Sequence, residues 1–213
     1  MQTTALSFEI LLSDDWEFAM REGSRFFAGE GAVQDALRRI TRRLNELNID
    51  YAVAGGMALF FHGFRRFTED VDILVTPEAL QKIHESLQGR GYRPPFDGSK
   101  NLQDTESGVR IEFIITGQFP GDGKPKPVAF PNPADASIEY NGVRFLNLPT
   151  LVELKLASGI SSPARLKDLA DVQELIKLLE LPEDFGEQLS SYVRSKYTEL
   201  WQAVAEERSS ERE

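Results

Sequence analysis

The 213-residue chain is 41% hydrophobic and 27% charged, a balance that suits a soluble globular protein with one sizeable core. Zero cysteines exclude disulfides, thiolate catalysis and Cys-ligated zinc, and two isolated histidines leave any metal to be held mostly by oxygen. A formal net charge of -10 argues against a broad nucleic-acid-binding surface. No apolar run approaches the roughly 20 residues of a bilayer span and no secretory signal opens the chain, so a cytoplasmic protein without membrane contact is expected.

Residues 1–30 mix short apolar runs (Leu6, Phe8, Ile10, Leu11, Leu12) with Ser13-Asp14-Asp15 and Gly23, without a sustained period. They read as an N-terminal extension with one short helix. From Ala32, the residues Val33, Ala36, Leu37, Ile40, Leu44 and Leu47 recur at helical spacing and predict an amphipathic helix that stops near Asn48. Arg38, Arg39, Arg42 and Arg43 fall mostly off that stripe and read as a solvated face. Residues 51–54 then form a short buried strand. Gly55-Gly56 breaks it before a short helix over 57–62 that ends at Gly63.

The stretch Asp70-Val71-Asp72-Ile73-Leu74-Val75 predicts a strand in which both aspartates share one face and Val71, Ile73 and Val75 share the other. Two such carboxylates are either solvent-facing or ligands of a hard divalent cation; beside apolar neighbours, their mutual repulsion favours the cation. Thr76 and Pro77 are a good N-cap and first helical residue for a helix reaching about Gln88. Residues 94–108 and 117–135 are rich in Gly, Pro and Asp and read as loops around a strand over 109–115. On that strand Glu112 projects with Arg110 away from the apolar face, as a neighbour of the aspartates if the strands adjoin, or as a surface Glu paired with a cation.

Asn141-Gly142 between two β-rich runs is a strong hairpin signal. From Pro149 the pattern is helical alone: one helix with Leu151, Leu154, Lys155 and Ser158, a second over 164–180, a third over 182–207, then a frayed charged tail over 206–213. Lys155 has apolar neighbours, so it faces either a carboxylate or a ligand phosphate, with Asp168 and Asp171 as candidate partners. His62, His84, Trp16 and Trp201 read as packing or exposed residues, since no nucleophile constellation accompanies them. The fold class is α/β (α+β), a mixed sheet flanked by helices with a C-terminal helical segment. The expected division is an extension over 1–30, a core over 31–148 and a helical region over 149–213.

Four pieces in this order carry a family resemblance: Gly55-Gly56, Asp70-Val71-Asp72, Glu112 in Val-Arg-Ile-Glu-Phe-Ile-Ile, and Leu-Val-Glu-Leu-Lys-Leu-Ala-Ser-Gly followed by Ala-Arg-Leu-Lys-Asp-Leu-Ala-Asp-Val. The chain resembles minimal nucleotidyltransferases of the DNA polymerase β superfamily, and within it the bacterial group related to AbiEii-type toxins. The resemblance covers about residues 51–115 and 149–179. It implies transfer of a nucleoside monophosphate from an NTP to a hydroxyl or phosphate on tRNA, a protein or a small molecule, with release of pyrophosphate. It implies Mg²⁺ or Mn²⁺ held by Asp70, Asp72 and Glu112, and a triphosphate held by Gly55, Gly56, Arg66, Thr68 and Lys155. It also implies a toxin role with an antitoxin protein as partner. The competing expectation is a non-catalytic nucleotide-binding or protein-interaction module with the same fold.

Overall fold

The computed structural model describes residues 7–210, so Leu6 and the last residues of the charged tail lie outside the described residues. In chain order the elements are helices α1 (Phe8–Asp14), α2 (Trp16–Phe27) and α3 (Ala32–Glu46), strand β1 (Ala52–Val53), helix α4 (Gly55–Phe61), strand β2 (Asp70–Val75) and helix α5 (Pro77–Leu87). Strands β3 (Tyr92–Arg93), β4 (Leu102–Asp104) and β5 (Arg110–Ile115) follow, then helix α6 (Pro133–Ala136) and the hairpin β6 (Ser137–Tyr140) and β7 (Val143–Leu146). Helices α7 (Leu148–Ser161), α8 (Leu166–Leu179) and α9 (Ser191–Ser210) complete the chain, with 3₁₀ turns at Pro163–Arg165 and Glu183–Gln188.

Among the described residues the strands form one seven-stranded sheet in the order β3-β4-β5-β2-β1-β7-β6. The β2–β5 and β1–β7 pairs are parallel and the others antiparallel. Each face carries its own core. Val71, Ile73 and Val75 of β2 and Ile111, Phe113 and Ile115 of β5 pack with Ile40, Leu44 and Ile83 from α3 and α5. On the opposite face Leu74 joins Leu151, Leu156, Val172 and Leu175 from α7 and α8, with Val193 and Tyr197 from α9. The period-two pattern of β2 and β5 thus sends only apolar side chains to one layer and leaves Asp70, Asp72, Arg110 and Glu112, with Leu74 and Ile114, on the face of the C-terminal helices.

Several local expectations hold for visible reasons. Thr76 accepts a hydrogen bond from the Ala79 N–H at 3.2 Å and caps α5. Asn141 and Gly142 adopt φ +50° and +76°, the pair of left-handed residues a tight hairpin needs.

Others are corrected. Among the described residues of the first thirty, two helices stand where one was expected, capped by Ser7 and Asp15, and Phe8 and Phe26 are each 1% exposed within the main core. The seven residues of α1 are too few to display a period, whereas α2 spans twelve and buries Glu22 and Phe26. Strands β3 and β4 lie in or beside a region read as loop; Leu102, Gln103 and Asp104 are all buried, so no polar alternation betrays β4. A short helix, α6, likewise interrupts the second loop.

The third C-terminal helix is split. The Arg194 guanidinium donates to the carbonyls of Gly186, Glu187 and Leu189, satisfying the break between the 3₁₀ turn and α9. The tail read as frayed is helical through Ser210. Trp16 is 76% exposed and packs little, whereas Trp201 donates its indole N–H to Leu181 O at 3.0 Å. Arg39, read as solvated, instead pairs with the buried Asp104 at 2.6 Å and ties α3 to the sheet edge.

Candidate active site

The parallel register of β2 and β5 places Asp70 beside Arg110 and Asp72 beside Glu112. One carboxylate oxygen from each of Asp70, Asp72 and Glu112 lies within 4.8 Å of the other two. Three acidic oxygens this close repel one another unless cations offset them, and an all-oxygen set suits a hard divalent ion such as Mg²⁺ or Mn²⁺. Burial raises the Asp72 carboxyl from its ordinary value to about 7, repulsion from Asp70 and Glu112 adds to the rise, and Lys155 and Arg110 oppose it. The Thr68 hydroxyl donates to Asp70 Oδ1 at 2.8 Å and fixes that carboxylate.

The glycine pair presses against these acids. Gly55 adopts φ +55°, and a Cβ on it would lie 2.7 Å from Asp72 Cγ. A Cβ on Gly56 would lie 2.6 Å from Thr68 Cβ. The turn from β1 into α4 therefore leaves no room for side chains beside the carboxylates, and its bare backbone faces them.

The opposite wall comes from α7 and α8. Lys155 Nζ donates to Asp168 Oδ1 at 2.8 Å and to Asp171 Oδ2 at 2.7 Å. Ser158 Oγ donates to Asp168 Oδ2 at 2.6 Å, and Arg66 Nε stands 3.0 Å from Asp171 Oδ1. Asp171, almost wholly buried, thus joins the α7 lysine to the arginine of the loop before β2. Burial works to raise the Asp168 carboxyl, but the Lys155 charge and the hydrogen bonds from Lys155 and Ser158 outweigh it and hold the group below its ordinary value.

A cleft of about 610 Å³ lies between these walls, and Gly55, Gly56, Arg66, Thr68, Asp70, Asp72, Glu112 and Lys155 all line it. Arg65 points elsewhere, its guanidinium 5.5 Å from the Phe60 ring centroid. The loop over 117–135 supplies Gln118, Phe119 and Phe130 to the lining, and Lys100 comes from the loop before β4. Nothing in the local sequence of those loops marks them, because they reach the cleft through the fold. His62 and His84 lie within 2.8 and 2.9 Å of the Leu146 and Lys100 carbonyls, and burial lowers the His62 pKa. Neither lines the cleft.

A family model described as nucleotidyl transferase AbiEii toxin, type IV toxin-antitoxin system, matches residues 35–212, most of the chain and every candidate above. The chain belongs to the AbiEii nucleotidyltransferase family. It is accordingly a nucleotidyltransferase, with the α/β sheet and C-terminal helices described above.

No curated protein matches the chain. Among solved structures, it is similar to ANT(2″)-Ia in complex with adenylyl-2″-tobramycin, at 12% identity and TM-score 0.48 over 82% of this chain and 97% of that one. It is similar to JHP933 from Helicobacter pylori at 15% identity and TM-score 0.45, over 83% and 92% of the two chains. A nucleotidyltransferase-like protein from Paracoccidioides brasiliensis shares 18% identity at TM-score 0.43, over 68% and 75%. Among the described residues, no helix is long and apolar enough to cross a membrane.

Proposed function

We propose that the cleft transfers a nucleoside monophosphate from an NTP to an acceptor hydroxyl or phosphate with release of pyrophosphate, and that Asp70, Asp72 and Glu112 hold Mg²⁺ or Mn²⁺ for this step. The carrying observation is the convergence of three carboxylate oxygens within 4.8 Å of one another beside a glycine turn too tight for side chains. The bound metal would neutralise the triphosphate and lower the pKa of the acceptor hydroxyl.

The bare Gly55-Gly56 backbone admits phosphate oxygens to its N–H groups. Arg66 and Lys155, already positioned by Asp171, supply positive charge on the opposite wall; Thr68 holds Asp70 in place. In the transfer, the acceptor oxygen forms a bond to the α-phosphorus, the bond to the bridging oxygen breaks, and pyrophosphate leaves with that electron pair. The acceptor proton passes to a Glu112 oxygen. In this reading residues 31–148 form the core that carries the chemistry, and α7 and α8, at the start of the helical region over 149–213, wall the cleft.

The acceptor is carried by tRNA, a protein or a small molecule. The toxin description of the family supports a toxin role with an antitoxin protein as partner. Incubating the protein with each labelled NTP, Mn²⁺ or Mg²⁺, and separate tRNA, protein and metabolite fractions tests the reading. Label should enter one fraction and disappear with D70A/D72A; equal labelling by that variant overturns the reading. Tight NTP binding without transfer would return it to a non-catalytic nucleotide-binding module.

A further inference from the structure

Arg110 occupies an unusual position for a cation, on the same strand face as the acidic cluster and two residues from Glu112. Its Nε stands 2.8 Å from Glu112 Oε1 and a terminal nitrogen 3.6 Å from Asp70 Oδ2. The same terminal nitrogen stands 3.1 Å from Glu9 Oε1, which α1 brings in from the N-terminal region. The guanidinium therefore lies between two of the three carboxylates on one side and a fourth acid outside the cluster on the other. Although these groups are within ion-pair distance, neither Arg110 Nε nor Glu9 Oε1 completes an aligned hydrogen bond, and both atoms are buried. The side chains of Arg110, Glu9 and Glu112 are each about a third exposed, and arginine–carboxylate pairs with good geometry align in a planar fork. This one is close in charge and poor in fit on both sides.

We propose that Arg110 is a placeholder cation of the metal site and that Glu9 is its alternative seat. The proposal rests on the reading of Asp70, Asp72 and Glu112 as metal ligands. In the metal-free protein the guanidinium offsets the repulsion among the three acids. A divalent ion placed among them would stand close to a like charge. Rotation of the Arg110 side chain toward Glu9 relieves that repulsion while keeping the arginine paired. Arg110 and Glu9 are thus positioning residues that set how readily the cluster exchanges one cation for another, and they give the N-terminal helix pair a functional connection to the cleft.

Removing a unit charge about 5 Å from a divalent ion strengthens binding by at least roughly tenfold, the value left under full water screening. The test is direct Mn²⁺ titration by electron paramagnetic resonance, without nucleotide, on wild type, R110Q, R110K, E9Q and E9Q/R110Q, with D70N/D72N as the site control. The expected results are Mn²⁺ binding at least about tenfold tighter in R110Q, near wild type in R110K, and several-fold weaker in E9Q, where the displaced arginine has no second partner. The double variant distinguishes a seat for the arginine from a simple field effect of Glu9. If Glu9 acts by receiving Arg110, E9Q has no further effect once Arg110 is gone; an undiminished E9Q effect in the R110Q background overturns the exchange.

Thermal unfolding supplies a readout independent of binding. R110Q should lose stability without metal and regain more of it with Mn²⁺ than wild type does. Site-dependent Mn²⁺ binding in wild type that R110Q leaves unchanged or weakens overturns the placeholder role alone. Binding that D70N/D72N leaves intact overturns the metal reading and the placeholder with it.

Discussion

Replacing Gly55 by alanine perturbs the site through a single methyl group, and the structure gives both parts of its effect. The residue sits at φ +55°, where a Cβ crowds its own backbone and costs an L-residue about 1–2 kcal/mol. The added Cβ would also lie 2.7 Å from Asp72 Cγ and overlap its carboxylate, so Asp72 must turn away from Asp70 and Glu112. Displacing a packed polar side chain adds roughly 1–3 kcal/mol, the usual cost of overpacking.

The combined loss of about 2–5 kcal/mol corresponds to a fall in Tm of roughly 4–20 °C for a chain of this size. Gly89→Ala is the control, since Gly89 shares a positive φ of +76° but has nothing within 4 Å of a Cβ. It should show only the backbone part, about 1–2 kcal/mol, and keep Mn²⁺ binding and transfer. Differential scanning calorimetry, Mn²⁺ titration and the labelled-NTP assay on both variants separate the two parts. G55A should lose Mn²⁺ binding and at least about 100-fold in transfer, the scale of losing one aligned catalytic group. A folded G55A that binds Mn²⁺ and transfers label as wild type does would refute the placement of Asp72 against the glycine turn.

Three further outcomes follow from buried charge and packing. The Asp72 carboxyl, raised to about 7 when folded, keeps a proton that the unfolded chain releases near pH 4, so metal-free stability should fall as pH rises from about 4 to about 7 and then level off. In urea titrations with EDTA, D72N should lack that decline and exceed wild type at pH 8; a decline of equal size in D72N would contradict the assignment. Asp171→Ala should cost about 1–3 kcal/mol, because Arg66 loses its carboxylate and Lys155 loses one of two while keeping Asp168, as chemical denaturation would show. Gly159→Ala should lower Tm because its Cβ would lie 2.6 Å from Leu169 Cδ2 and force α7 from α8, with Gly23→Ala in α2, where nothing lies within 4 Å, as the control.

The part of the site carried by strands was legible because a strand's alternation is visible in six residues. Asp70 and Asp72 could be assigned to one face of their strand and Glu112 to the polar face of another, and the parallel pairing that aligns Asp72 with Glu112 supplies the adjacency that alternation alone left open. Lys155 was conspicuous as a charge in an apolar helix; Asp168 and Asp171 could be placed on one face of the next helix, but their pairing with Lys155 rather than Arg165 or a ligand comes from the packing of α7 on α8.

What sequence reading missed lies where contacts span long separations or where elements are too short to show a period. Strands β3 and β4 together hold five residues, and the buried Asp104 looks like a turn residue until Arg39 arrives from α3. The N-terminal helices carry apolar residues that make sense only once Phe8 and Phe26 meet the core. Glu9, more than one hundred residues from Arg110 in sequence, has no local signature pointing to the cleft.

Transfer of labelled nucleotide tests the central claim most directly. Wild-type protein, each α-labelled NTP and Mn²⁺, supplied with separated tRNA, protein and small-molecule fractions, should deposit label on an acceptor and release pyrophosphate. D70A/D72A should deposit none while remaining folded. Label deposited equally by that variant, or none by folded, Mn²⁺-loaded wild type with any NTP and any fraction, would contradict the account.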